Sequence, residues 1–345
     1  MKAVQIHEHG GIETLRYEEA ATPKLASPTE VIVQLRAAAL NHIDLWTRRG
    51  LTGIKLEMPH ILGGDGAGIV VEIGSEVTQV KQGDAVCLYP AVGCGQCEFC
   101  LTDRDFLCVY LRVLGERLNG TYAEYVKLPG QNCFPIPPGF SFEEAAAFPL
   151  VFITVWRMLV TNANLRPGEQ ILILGIGGGV ATAALQIAKQ IGAHAIVTSG
   201  SDEKLEAAKN WGADHGINYR KSDFAREVRA LTDKRGVEVV VDCVGGEGWL
   251  KSLACLVKGG RLVTCGATAG SSPHTDLRRI FWNHLSIFGS TLGSREEFRQ
   301  VVNFLCRSKI RPIIDQLFPL KEAAAAQQRL ERGEQFGKII LQIAD

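Results

Sequence analysis

Neither sign of charge predominates in this chain: 37 lysines and arginines are matched by 37 aspartates and glutamates, and the formal net charge is zero. Nucleic-acid binding usually draws on a net excess of cations to meet the phosphates, and the composition supplies none. No acidic or basic tail, internal repeat or low-complexity linker is present. The opening residues Met1-Lys2-Ala3-Val4-Gln5 go straight into strand-like alternation without the apolar core of a signal peptide. A cytoplasmic protein is therefore expected, with a small-molecule substrate and neither nucleic acid nor membrane among its partners. One uncharged stretch, Ile171 to Ala188, is just long enough to span a bilayer. Gly175 and Gly177-Gly178-Gly179 interrupt it, each costing roughly 1 kcal/mol in a helix relative to alanine. Strand, tight turn and helix is the better reading.

A disulfide framework is also lacking. Ten cysteines in an unsecreted chain argue for thiols. Cys87, Cys133, Cys243, Cys255, Cys265 and Cys306 are scattered, mostly in apolar runs, and read as small core residues. The other four cluster.

The 345 residues, 46% of them hydrophobic, are enough for two domains with ordinary cores. Residues 1–149 read as β-rich, with strands such as Val31 to Arg36 and Ala67 to Ile73 between glycine and proline turns. Helical patterns begin at Glu143 and around Val151 to Val160. From Gln170 strands and helices alternate: strand Ile171 to Leu174, helix Val180 to Ile191, strand Ala195 to Thr198, helix Asp202 to Trp211, then strands Val237 to Val241 and Arg261 to Thr264. Fully apolar strands alternating with helices imply a parallel, doubly wound α/β sheet. Residues 295–345 are helical and end in a strand from Gly337 to Ile343. The expected division is 1–149 with 295–345, and 150–294.

Gly175-Ile-Gly-Gly-Gly-Val-Ala181 follows a buried strand and opens a helix, the context that makes a glycine motif informative. Gly175 permits the sharp turn. Gly178, Gly179 and Val180 let backbone N–H groups approach a pyrophosphate at the helix N-terminus. An acid at the tip of the second strand would bind a ribose 2′-hydroxyl and repel a 2′-phosphate. Here the strand ends Thr198-Ser199-Gly200-Ser201; Asp202 and Glu203 come later, on the next helix, followed by Lys204. NADPH is expected rather than NADH. Cys265 and Gly266, at the end of the Arg261 to Thr264 strand, are expected near the nicotinamide.

Cys94-x-x-Cys97-x-x-Cys100-x7-Cys108 matches a tetrahedral four-thiolate zinc site. Such a site has no open position, so one structural zinc per chain is expected; an iron–sulfur cluster also uses four cysteines.

A four-cysteine loop near residue 100 followed by a glycine-turn nucleotide domain resembles the medium-chain dehydrogenase/reductase superfamily. The likeness extends over Asn41-His-Ile-Asp44, Leu62-Gly-Gly-Asp-Gly-Ala-Gly68 and Phe336-Gly-Lys-Ile-Ile. It implies a chaperonin-10-like β-barrel catalytic domain that takes back the C-terminal segment, a six-stranded Rossmann domain, and an active site in the cleft between them. Zinc alcohol dehydrogenases of that superfamily hold a catalytic zinc with a Cys in C-x-x-D, a His in G-H-E-x-x-G and a Cys four residues before a Thr. The matching positions here are Asn41, Gly64 and Leu150, none a normal zinc ligand. The pattern is more similar to the zinc-independent quinone oxidoreductase and enoyl reductase branch, in which residues matching Gly200, Lys204 and Tyr219 meet the 2′-phosphate. The resemblance implies NADPH-dependent reduction of a quinone, enone or enoyl thioester.

Asn41 and Thr154 are the expected lining of the nicotinamide pocket, with Asn41 donating to a substrate oxygen. His42 is a candidate proton donor, and Asp44 and Asp65 either act there or fix loop geometry. Trp46 either walls the substrate pocket or belongs to the core. Two other readings stay open: a zinc-dependent alcohol or aldehyde dehydrogenase using His42 and Asp65 as unorthodox ligands, and a catalytically silent NADPH-binding protein. The apolar strand Leu285 to Leu292 is expected at the sheet edge, where exposed backbone invites pairing, so a homodimer or homotetramer is expected.

Overall fold

A computed structural model describes every residue except Thr52, Ala344 and Asp345. The chain divides into two compact units, Met1–Leu150 with Ser294–Asp345, and Val151–Gly293.

The first unit is built around the long strand Glu30–Ala39. It pairs antiparallel with Asp65–Ile73 along one side, and on the other with Tyr125–Pro129 and then Lys338–Gln342. The C-terminal segment thus closes a sheet begun near the N-terminus. Alternating burial along Glu30–Ala39 comes from the two-residue period of a strand, which sends Val31, Val33 and Leu35 into one apolar core with Val70, Val86, Leu128 and Leu341. At its end the chain turns at Asn41 into the helix His42–Arg49. Asn41 and Asp44 form a capping box that closes the first turn of this helix.

The second unit is a six-stranded parallel sheet. Its spatial order is His215–Asn218, His194–Ser199, Gln170–Ile173, Val237–Val241, Leu256–Thr264, Ser286–Gly289. This is the 3-2-1-4-5-6 order of a dinucleotide fold, whose strand order reverses beside the first strand. The uncharged stretch that mimicked a membrane span is the strand Gln170–Ile173, a glycine turn and the helix Gly179–Ile191. No helix among the described residues is long and apolar enough to cross a membrane.

Three expected elements differ. The strand ending at Thr264 begins at Leu256, not Arg261; Lys258-Gly-Gly260 reads as a turn in sequence, but pairing across a register shift carries the strand through it. The helix expected over Val151 to Val160 is Pro149–Trp156 followed by a π-helical turn, Arg157–Asn162. The edge strand is shorter than expected, Ser286–Gly289, although it does lie at the sheet edge. Leu277, Phe281 and Trp282 on the preceding helix are exposed. Of the scattered cysteines, Cys87, Cys133 and Cys255 are buried as expected, whereas Cys306 is exposed.

Candidate functional site

In the first unit, residues far apart in sequence meet in a buried polar cluster. Asp65 begins its strand and is fully buried. Both carboxylate oxygens are engaged: Oδ1 accepts from the Leu150 N–H at 2.8 Å, and Oδ2 accepts from Asn41 Nδ2 at 2.8 Å and Lys338 Nζ at 3.0 Å. Lys338 also donates to Leu40 O at 2.7 Å and Asn41 Oδ1 at 2.6 Å. A buried charge this costly to desolvate survives only with a partner and further hydrogen bonds, and both are present. The Asn41 side chain is consequently pinned at both ends of its amide, with one N–H committed to Asp65.

Asp44, also buried, accepts from the Asn41 N–H at 2.8 Å and the Tyr122 hydroxyl at 2.9 Å. Burial pushes its pKa from the ordinary 3.8 up to about 7, against the two hydrogen bonds and the Lys338 charge, which pull it down. The folded protein therefore holds this proton more tightly than the unfolded chain. The stability Asp44 contributes is fully present below about pH 4 and is lost as pH rises through about 7. Thermal unfolding of Asp44→Asn against the parent at pH 5 and pH 8 is expected to show the variant relatively more stable at the higher pH. Equal pH dependence in the two proteins would remove Asp44 as the titrating group.

His42 opens the helix beside this cluster, half-buried, its ring 6.3 Å from that of Trp46. Burial, then the Lys338 charge, holds its pKa below the usual histidine value. That direction favours the neutral imidazole, whose ring can still donate one hydrogen bond. Among the described residues the one group of three or more His, Cys, Asp or Glu placed to hold a metal is the four cysteines, and neither His42 nor Asp65 belongs to such a group.

Those four sulfurs lie within 4.8 Å of one another. Cys94 Sγ and Cys100 Sγ are 4.0 Å apart, and the Cys94 N–H points at Cys108 Sγ from 3.3 Å. Tetrahedral thiolates about 2.3 Å from a zinc ion stand at similar separations, so the residues present fit that metal. The positions that would hold a catalytic zinc do not. Asn41 is pinned as above, Leu150 offers no side-chain donor, and a Cβ at Gly64 would sit 3.4 Å from Leu150 Cδ1 and from Leu114 O.

In the second unit, Thr154 is buried in its helix and donates to Thr291 O at 3.1 Å. Gly175 and Gly177 take φ of +70° and +117°, a region that L-residues with a Cβ rarely enter. Gly178 caps the helix, and Gly179 and Val180 form its first turn. The turn is tied to the second strand: the Ile176 N–H donates to Thr198 O at 2.8 Å, and the Gly175 N–H to Thr198 Oγ1 at 3.3 Å. N–H groups at the start of this 13-residue helix fit a pyrophosphate.

At the tip of the second strand, a Cβ on Gly200 would lie 2.8 Å from Arg220 Nε and 2.9 Å from Tyr219 Oη. A guanidinium and a phenol thus press on the bare backbone there. The acids that follow are occupied: Asp202 accepts from Lys221 Nζ at 2.5 Å and Asn218 Nδ2 at 2.7 Å, and Glu203 from the Ser201 hydroxyl. Ser201 is the cap of the next helix, its Oγ accepting from the Lys204 N–H at 3.3 Å. Cys265 and Gly266 follow the Leu256–Thr264 strand, and burial holds the Cys265 thiol well above its ordinary pKa.

Sequence reasoning missed four residues. Lys338 was visible only as part of a closing strand, and its partner Asp65 is 273 positions away. Tyr122 and Arg220 carried no local signal. Asp242 was readable as an acid at the end of a buried strand: its Oδ1 accepts from the Val244 and Gly245 N–H groups at 2.9 and 2.8 Å, and its Oδ2 from Ser252 at 2.8 Å. It shapes the turn that leaves the fourth strand.

A strand-order reversal beside a glycine turn is the architecture of a dinucleotide-binding type of unit. Residues 27–138 match the family model described as an alcohol dehydrogenase GroES-like domain, and residues 179–307 that of a zinc-binding dehydrogenase. A zinc-type alcohol dehydrogenase-like protein of Schizosaccharomyces pombe is 35% identical, over 97% of each chain. The quinone oxidoreductase of Mus musculus is 28% identical over 99% of this chain and 97% of its own. The crystal structure of an NAD-dependent alcohol dehydrogenase matches with a TM-score of 0.95 and 42% identity, covering 100% of both chains. The chain belongs to the medium-chain dehydrogenase/reductase superfamily, is an oxidoreductase, and carries a cysteine cluster that resembles that family's structural zinc site.

Proposed function

We propose that this chain is an NADPH-dependent reductase of carbon–carbon double bonds conjugated to a carbonyl: a quinone, an enone or an enoyl thioester. The observation that carries this reading is the closed Asn41–Asp65–Lys338 cluster, which leaves no donor set for a catalytic zinc. Without such a metal there is no Lewis acid to acidify an alcohol. Reduction of a conjugated double bond needs only hydrogen-bond donors as negative charge develops on the carbonyl oxygen.

A bound reduced nicotinamide supplies the hydride. The chain's own part is binding and polarisation. N–H groups at Gly178, Gly179 and Val180 hold the pyrophosphate. Gly200, Tyr219, Arg220 and Lys204 receive the 2′-phosphate, with Arg220 as its principal charge. The second N–H of Asn41, held in place by Lys338 and Asp65, donates to the substrate oxygen, and Thr154 orients the cofactor. The four cysteines hold a structural zinc, and a homodimer through the Ser286–Gly289 edge belongs to the same reading.

Arg220→Ala is expected to raise the KM for NADPH at least tenfold and to leave that for NADH within twofold. Initial rates with an enone and each cofactor decide. Equal loss with both would place Arg220 outside a phosphate subsite, and faster turnover of the parent with NADH would overturn the NADPH assignment. The name of the 42%-identical structure favours a second reading, an NAD-dependent alcohol dehydrogenase. Alcohol oxidation with NAD, in the absence of any enone reduction, would establish it.

A further inference from the structure

A surface cavity of about 490 Å³ in the second unit is lined by Arg226, Arg229, Lys234 and Arg279, beside Ala225 and Ala254, with no carboxylate in its walls. Three helices contribute, Phe224–Leu231, Trp249–Cys255 and Leu277–Trp282. Elsewhere around it, cations are neutralised. Lys251 pairs with Asp223 at 3.0 Å, Arg278 with Asp276 at 3.1 Å, and Arg235 with Glu238. Among the described residues, Arg226, Lys234 and Arg279 make no direct ion pair, and Asp276, already paired with Arg278, acts on Arg279 only through space.

Arg229 is held differently. Its Nε and Nη2 donate to Ala254 O at 3.2 and 2.8 Å, and its Nη1 to Lys234 O at 2.6 Å and Arg235 O at 3.0 Å. Carbonyls at or just past two helix ends fix this guanidinium and offset its charge only through their dipoles. The result is one cation fixed by carbonyls with three exposed ones around it.

The cavity is not part of the nucleotide site. Lys234 and Ala254 lie three and two residues before the strands Val237–Val241 and Leu256–Thr264, so the cavity opens at the amino ends of the parallel strands. The glycine turn lies at the opposite, carboxyl end of the same sheet.

We propose that this cavity is a distal binding site for a small multivalent phosphate, gripped by Arg226, Lys234 and Arg279 around the fixed Arg229. Arginine forks match phosphate oxygens in pairs, and three converging cations favour a ligand carrying more than one negative charge. A long nucleic acid needs a stripe of charge, whereas these cations surround one pocket.

Calorimetric titration of the full chain with sodium pyrophosphate at low ionic strength tests this, using the parent, Arg226→Glu/Arg279→Glu, and the parent presaturated with NADH or NADPH, whichever it binds. The glycine-turn end also fits pyrophosphate, and the bound dinucleotide occupies it. One binding event is expected to weaken at least tenfold in the double variant, to persist beside the bound dinucleotide and to fade with added NaCl. Arg226→Lys/Arg279→Lys should retain most of it, which separates lost charge from lost fold. Pyrophosphate binding unchanged in the double glutamate variant, or no event beyond the one that the dinucleotide abolishes, would overturn the proposal.

Discussion

Lys338→Met is expected to destabilise the sheet-rich unit by about 3–5 kcal/mol, because it strands a fully buried Asp65 carboxylate without its cation. The loss should appear locally, as faster amide hydrogen exchange in the Lys338–Gln342 strand and its partner Glu30–Ala39. Pairing it with Asp65→Asn removes the stranded charge. The double variant is therefore expected to recover much of the loss while Asp65→Asn alone stays destabilised, so the two effects will not add. Additive losses would mean that Lys338 and Asp65 act independently. A stable single variant with normal exchange would mean that the cluster contributes little to the fold.

The second large effect concerns the cysteine loop. Protein purified in metal-free buffer is expected to carry one zinc per chain by elemental analysis, and Cys100→Ser to carry none. Structural zinc contributes on the order of 10 kcal/mol to holding such segments. Residues 94–108 contain two short 3-10 turns and little apolar packing of their own. Losing the metal should open them to protease while the six-stranded sheet of the other unit stays intact. Zinc retained by Cys100→Ser would place the metal elsewhere. Two zincs per chain in the parent would show that the Asn41 region takes a metal after all, and the alcohol dehydrogenase reading would then lead.

Much of this protein is local and therefore legible in the amino-acid order. Four cysteines within 15 positions can hardly avoid one another once the segment folds, so their grouping needed no structure. Strand, glycine turn and helix over residues 170–191 follow from short-range rules: apolar runs, a φ that only glycine tolerates well, and the 3.6-residue period. The departures at Asn41, Gly64 and Leu150 were equally plain, since the types of side-chain donor are written in the sequence.

Tertiary structure decided what those positions do instead. The cluster around Asp65 joins a strand end, a helix cap and the closing strand, and no local pattern encodes a contact spanning 273 positions. The neutral character of His42 and the raised pKa of Asp44 arise from desolvation, which depends on what the rest of the chain packs around them. Arg220 against Gly200, and the ring of unpaired cations around Arg229, were likewise set by which helices the sheet brings together. Residue identity determined which chemistry was available; burial and long-range pairing determined which groups were left to use it, because both depend on how the whole chain folds.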